Sequence, residues 1–104
     1  MLVCMEFSYK LFEQGSDKLL AIADKDILGK TFSSGNINIE ISKEFYHQEF
    51  CDEEKLMELI KKATIINAMG KQIIEFLVKH KMIKRTNVKK PAGVPHAQVY
   101  TIND

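Results

Sequence analysis

The sequence predicts an α+β domain: one mainly antiparallel sheet, in the order β-β-short α-β-α-α-β-β, with two helices packed on one face. Three observations predict it. From Leu2 to Phe12, Val3, Met5, Phe7, Tyr9 and Leu11 alternate with Cys4, Glu6, Ser8 and Lys10, the period-two pattern of a half-buried strand. From Asp52 to Ile83, apolar residues recur at helical spacing instead. Alternation then returns, with Gln98, Tyr100 and Ile102 set against Ala97, Val99 and Thr101. Helices grouped between two sets of strands suit a sheet covered by helices on one side.

In chain order, Gln14-Gly15-Ser16-Asp17 reads as a turn, and Lys18 to Ala23 as the strand that completes an N-terminal hairpin. Asp24 can cap a short helical turn through Leu28, with Gly29 in its left-handed C-terminal position. Ser33-Ser34-Gly35-Asn36 is a second turn, followed by a third strand in which Ile37, Ile39 and Ile41 alternate with Asn38 and Glu40. Ser42 can cap a brief turn carrying Phe45 and Tyr46. Asp52 starts a helix whose apolar stripe is Leu56, Leu59, Ile60 and Ala63, with acids in its first turn and Lys61 and Lys62 in its last, as the helix dipole favours.

The β-branched run Thr64-Ile65-Ile66 interrupts that helix. The next is expected to run from Asn67, its cap, to Ile83 as the central helix, apolar on most sides apart from the line Lys71, Glu75 and Lys79, and therefore packed on several. Lys84 to Ile102 reads as a second hairpin whose strands are separated by Pro91 to Pro95.

At 104 residues, 45% hydrophobic and 28% charged, the chain has the length and composition of one globular domain. Its formal net charge of +1 demands neither nucleic acid nor membrane. The distribution is uneven: seven acids face only Lys43 and Lys55 between Glu40 and Glu58, and nine bases face only Glu75 between Lys61 and Lys90. Such asymmetry can mark a basic binding face, but helix dipoles account for part of it, which discounts the signal. Cys4 and Cys51 have no paired spacing and read as buried thiols in a reducing cytoplasm. Glu6 and Lys10 interrupt the apolar start, so it is not a signal peptide, and no apolar run is long enough to span a membrane.

Leu28-Gly29-Lys30-Thr31 has the end of a phosphate-binding loop but not the glycine such a loop needs at Asp24, which excludes nucleotide binding by that mechanism. His47 and Cys51 lie four apart without the further ligands a zinc ion requires, so no metal is expected and Cys51 reads as structural, His47 as a surface residue. No cofactor motif occurs. Gly70 near the start of the central helix is costly there unless something packs closely against it. With Asn67 and Lys71 it forms a candidate anion site at a helix N-terminus. Gly93-Val94-Pro95-His96-Ala97-Gln98 is a rigid loop bearing recognition side chains, and Lys84, Arg85, Lys89, Lys90 and Tyr100 around it can neutralise phosphates and stack a base.

Leu28 to Phe32, Ala63 to Gly70 and Gly93 to Val99, in that order and spacing, resemble an archaeal family catalogued as domain of unknown function 424. The resemblance spans essentially the whole chain, and its last block, with Gly93, Pro95, His96 and Gln98, is the most specific. It implies a small cytoplasmic archaeal α+β protein, brings no established activity, and directs attention to Gly29, Lys30, Asn67, Gly70, Pro95, His96 and Gln98. Where the family pattern has an acid after the second block, this chain has Lys71. The leading expectation is a non-enzymatic binding module for RNA or a ribonucleoprotein. The alternatives are a protein–protein adaptor, such as a homodimer, using a sheet edge or the loop with Phe45 and Tyr46, and a small enzyme using His96 with Lys30 or Lys71.

Overall fold

The structure, a computed structural model, describes residues 6–100. Strand β1 (Phe7–Gln14) turns through Gly15 and Ser16 into β2 (Asp17–Asp24). A 3-10 turn at Lys25–Ile27 leads to the small hairpin β3 (Thr31–Ser34) and β4 (Ile37–Glu40). The single-turn helix α1 (Lys43–Tyr46) follows, its Ser42 Oγ accepting the Phe45 N–H at 3.1 Å, and then the short strand β5 (Glu49–Cys51). Helix α2 (Glu53–Lys62) begins at Asp52, whose Oδ1 accepts the Lys55 N–H at 2.9 Å. Strand β6 (Ile65–Met69), helix α3 (Lys71–Lys79), 3-10 turns at Arg85–Asn87 and Pro91–Gly93, and strand β7 (His96–Tyr100) complete the order.

Five strands form one sheet in the order β5-β1-β2-β6-β7. Every neighbouring pair is antiparallel except β2 and β6, which run parallel with Leu20 opposite Ile66 and Ile22 opposite Ala68. The α+β architecture is therefore as expected, with both longer helices on one face. Phe7, Tyr9, Leu20, Ile22, Ile66, Ala68 and Ala97 point to that face and meet Leu56, Leu59 and Ile60 of α2 and Ile73, Ile74, Phe76 and Leu77 of α3. The opposite face carries a second, smaller core of Ala21, Ala23, Ile41, Tyr46, Met69 and Val94, roofed by α1 and by the β3–β4 hairpin through Phe32 and Ile39.

Three expectations about the elements need correction. The central helix does not run from Asn67: Asn67, Ala68 and Met69 belong to β6, and the helix is confined to Lys71–Lys79. Its exposed flank is the expected line Lys71, Glu75 and Lys79, joined by Gln72. The predicted third strand pairs with Thr31–Ser34 outside the main sheet, because Gly35, at φ +59°, permits a tight hairpin there. The tail is not a hairpin. Only His96–Tyr100 is a strand, and Lys84 to Gly93 is built of 3-10 turns, touching β7 through the single bridge between Lys89 and His96. The expected strand residues Leu2 to Met5, Thr101 and Ile102 lie outside the described residues, as does Cys4.

Candidate functional site

The second and third sequence blocks are neighbours in the sheet. Asn67 of β6 stands opposite Gln98 of β7, Met69 stands opposite His96, and the Gly70 N–H donates to the Pro95 carbonyl at 2.8 Å. The first block joins them, since Leu28 and Phe32 pack into the same core as Met69 and Val94. Gly29 holds φ at +83° and donates its N–H to the Ile41 carbonyl at 2.7 Å. Lys30 bonds to Ile41 and Ile27 through its backbone, and its side chain is exposed.

On the hairpin side of the sheet, Asn67 is the centre of a polar cluster. Its Oδ1 accepts the Tyr46 hydroxyl at 3.0 Å and lies 3.3 Å from His96 Nε2. An amide oxygen only accepts, so the ring carries its proton on Nε2 and keeps a lone pair on Nδ1. Burial, and secondarily the nearby Lys89 charge, hold His96 below the ordinary histidine range, and burial pushes the Tyr46 phenol up to about 12. Replacing Tyr46 with Phe is expected to cost about 1 kcal/mol, the net worth of one hydrogen bond, since the ring still fills its place and Asn67 keeps His96. Urea denaturation measures it.

Beside this cluster the same face is open only toward Gln98 and Tyr100, for Ala21 is fully buried and Phe12 stacks on Phe45. Across four strands Phe12, Leu19, Ile65 and Tyr100 form one row, and Lys10, Ala21, Asn67 and Gln98 the next. Tyr100 is 71% exposed, and its hydroxyl accepts from Gln98 Nε2 at 3.0 Å. At the other end of the strip the Lys10 ammonium sits 5.0 Å over the Phe12 ring and donates to the Glu44 carbonyl at 3.0 Å. Of the basic residues picked out in the tail, Lys89 is tied backbone to backbone to His96, at 2.7 and 3.0 Å, and Lys84 and Lys90 are exposed. Arg85 clasps Glu75 through both nitrogens, at 2.6 and 3.0 Å.

The expected anion site at the start of the central helix is already filled. Asp24, at the end of β2, makes no hydrogen bond to the 3-10 turn after it. Its carboxylate instead accepts the N–H groups of Gln72 and Ile73, each at 2.8 Å, and so caps α3. Asn67 is one strand-end away from that role, and Gly70 is the residue at the cap. Sequence reading missed Asp24 because the partner it caps is far along the chain. The signal available was Gly70, whose cost inside a helix called for a close neighbour.

His47 and Cys51 do not meet as a pair of ligands. His47 Nδ1 lies 2.8 Å from Ser8 Oγ, whose proton goes to the Tyr46 carbonyl at 2.8 Å, so His47 is half-buried and bonded where a surface residue was expected. Cys51 belongs to the helix-side core, and burial pushes its thiol up to about 12. Among the described residues no group of three or more His, Cys, Asp or Glu side chains is placed to hold a metal ion.

The profile of a family described as a protein of unknown function (DUF424) matches residues 12–102. The chain belongs to the DUF424 family. Among curated proteins, none matches the chain. A crystal structure of an uncharacterized conserved protein from Methanopyrus kandleri superposes with a TM-score of 0.79 at 23% identity, over 91% of this chain and 90% of that one. At that identity the likeness concerns the fold. Within the DUF424 chain all three sequence blocks thus gather on β6, β7 and the hairpin that roofs them, and no helix among the described residues is long and apolar enough to cross a membrane.

Proposed function

We propose that this DUF424 protein is a non-enzymatic, cytoplasmic binding module for RNA or a ribonucleoprotein, reading a single strand on the open strip of its sheet. The observation that carries this reading is Tyr100, 71% exposed on the edge strand β7. Gln98 fixes its hydroxyl, and Lys89 runs beside the same strand. Aromatic platforms flanked by lysines bind single strands because every base has a face to stack and every phosphate a charge to neutralise.

The test is titration of a fluorescent single-stranded RNA at rising salt. Binding is expected to weaken steeply with salt, and Tyr100→Ala to weaken it by about 1–3 kcal/mol, the worth of one stacked base, with an unchanged melting temperature. Lys89→Ala is expected to flatten the salt slope by about one ion. Absence of binding at low salt removes the proposal. An adaptor role has one observation of its own, Phe50, 46% exposed on the opposite edge strand β5. Light scattering on the wild type and Phe50→Ala distinguishes a dimer that uses it from a monomer.

A further inference from the structure

The outer flank of α3 and the tail that folds back along it enclose a cleft in two lobes. One, of about 510 Å³, is walled by Ile74, Val88, Gly93 and Pro95 together with Lys71, Glu75, Arg85 and Lys90. The other, of about 590 Å³, has Phe76, Val78 and Gln72 at its wall and shares Lys71, Glu75 and Arg85. Both volumes fall among those of pockets that hold small ligands. The floor is fixed: the Pro95 carbonyl accepts from Gly70, and the turn that returns Lys90 toward the helix holds Ala92 at φ +52° and Gly93 at φ +84°, with the Val94 N–H donating to the Pro91 carbonyl at 3.0 Å.

Charge in the cleft does not balance. Glu75 is the one carboxylate that the two lobes share, and Arg85, Lys71 and Lys90 all act on it, holding its carboxyl below the ordinary range. Three cations converge on a single anion. Among the described residues Glu53 is the other acid lining the cleft, and Lys79 lines the same lobe. A phosphate monoester carries a charge of about −1.5 to −2 near neutral pH, which matches the surplus around Glu75. Two lysines supply donors of the kind such a group takes, and Arg85, its fork engaged by Glu75, adds its charge beside them.

We infer that this cleft binds a phosphate monoester with an attached organic body, of the nucleoside monophosphate kind: Lys71 and Lys90 hold the phosphate beside the Arg85–Glu75 pair, and the body lies against Val78. The inference is independent of the RNA reading, because the cleft lies on the helix side of the sheet and Tyr100 on the other.

The test is calorimetry and amide NMR with adenosine monophosphate, inorganic phosphate, adenosine and an RNA oligonucleotide bearing either a 5′-phosphate or a 5′-hydroxyl. Either the free nucleotide or the 5′-phosphorylated end is expected to bind and to shift Lys71, Glu75, Arg85 and Lys90, and which of them does so identifies the source. Lys71→Ala with Lys90→Ala is expected to weaken that binding about tenfold or more. Glu75→Gln is expected to tighten it, since the competing carboxylate is gone. Lys61→Ala with Lys62→Ala, two exposed lysines at the end of α2 outside the cleft, is the control. Equal loss in the control, equal binding of adenosine and its phosphate, or no binding by any phosphate probe overturns the inference. Loss of RNA binding in Tyr100→Ala with the cleft still active, or the reverse, separates the two sites.

Discussion

Gly70→Ala is expected to destabilise the fold by about 3 kcal/mol or more, enough to remove a large share of a small domain's stability. Two effects add. Gly70 sits at φ +125°, ψ +157°, a conformation that residues with a Cβ scarcely populate. A Cβ there would also lie 2.5 Å from Asp24 Cγ and 2.7 and 2.8 Å from its two oxygens. The carboxylate cannot give way without releasing the N–H groups of Gln72 and Ile73. Urea denaturation of the variant measures the loss. In an Asp24→Ala background the same change is expected to cost less, because the overlap is gone and only the backbone strain remains, and a double-mutant cycle reads that difference. A loss under about 1 kcal/mol in the wild-type background would show that the cap tolerates a side chain after all.

Asp24→Ala is the second large effect, at about 2–4 kcal/mol. It strips the cap from α3 and leaves the N–H of fully buried Ile73 without a partner. The milder Asp24→Asn keeps the shape and one accepting oxygen, and isolates the charge. Burial is the largest influence on Asp24 and raises its carboxyl above the ordinary value of 3.8, outweighing the backbone amides of Gln72, Ile73 and Lys71 that lower it. The sign follows from linkage. With the folded value above the unfolded one, the folded chain binds the proton more tightly, so this group favours folding most at acid pH. That contribution is lost as pH rises from about 3.8 through the folded value. The advantage of wild type over Asp24→Asn is therefore expected to shrink as pH rises across that window. His96, held low, pulls the other way, since its protonation on acidification disfavours the folded state, but it is common to both proteins and cancels in the comparison. An advantage that widens with pH would mean that the amides, not burial, govern Asp24.

Much of this architecture was legible in residue order, and the exceptions share one physical cause. The N-terminal hairpin, the α1 cap at Ser42 and the α2 cap at Asp52 were readable because each is specified by neighbours along the chain. Strand β6 was not, because β2 and β7 flank it, and Ile66 and Ala68 face one core while Met69 faces the other. A strand buried on both sides loses alternation, and Ile65, Ile66, Ala68 and Met69 merge by composition with the helix that follows. The break between them is Gly70, and its meaning depends on Asp24, in a strand far earlier. The site divided in the same way. The pairing of Asn67 and Gln98 with the Pro95–His96 segment follows from β6 and β7 lying side by side, so the blocks were visible and their junction was not. Tyr46, which completes the Asn67 cluster, carried no signal beyond being an aromatic in a capped turn.

The parallel pairing of β2 with β6 also bears on how the chain reaches this form. Leu19 must find Ile65 across everything that lies between them, whereas β1 and β2 need only zip from Gly15. Closing so long a loop costs entropy before it returns any contact, which places the kinetic barrier at that step. On a chain emerging from the ribosome, the first hairpin can form early, yet it waits with its β2 flank uncovered until the segment through Met69 has been synthesised.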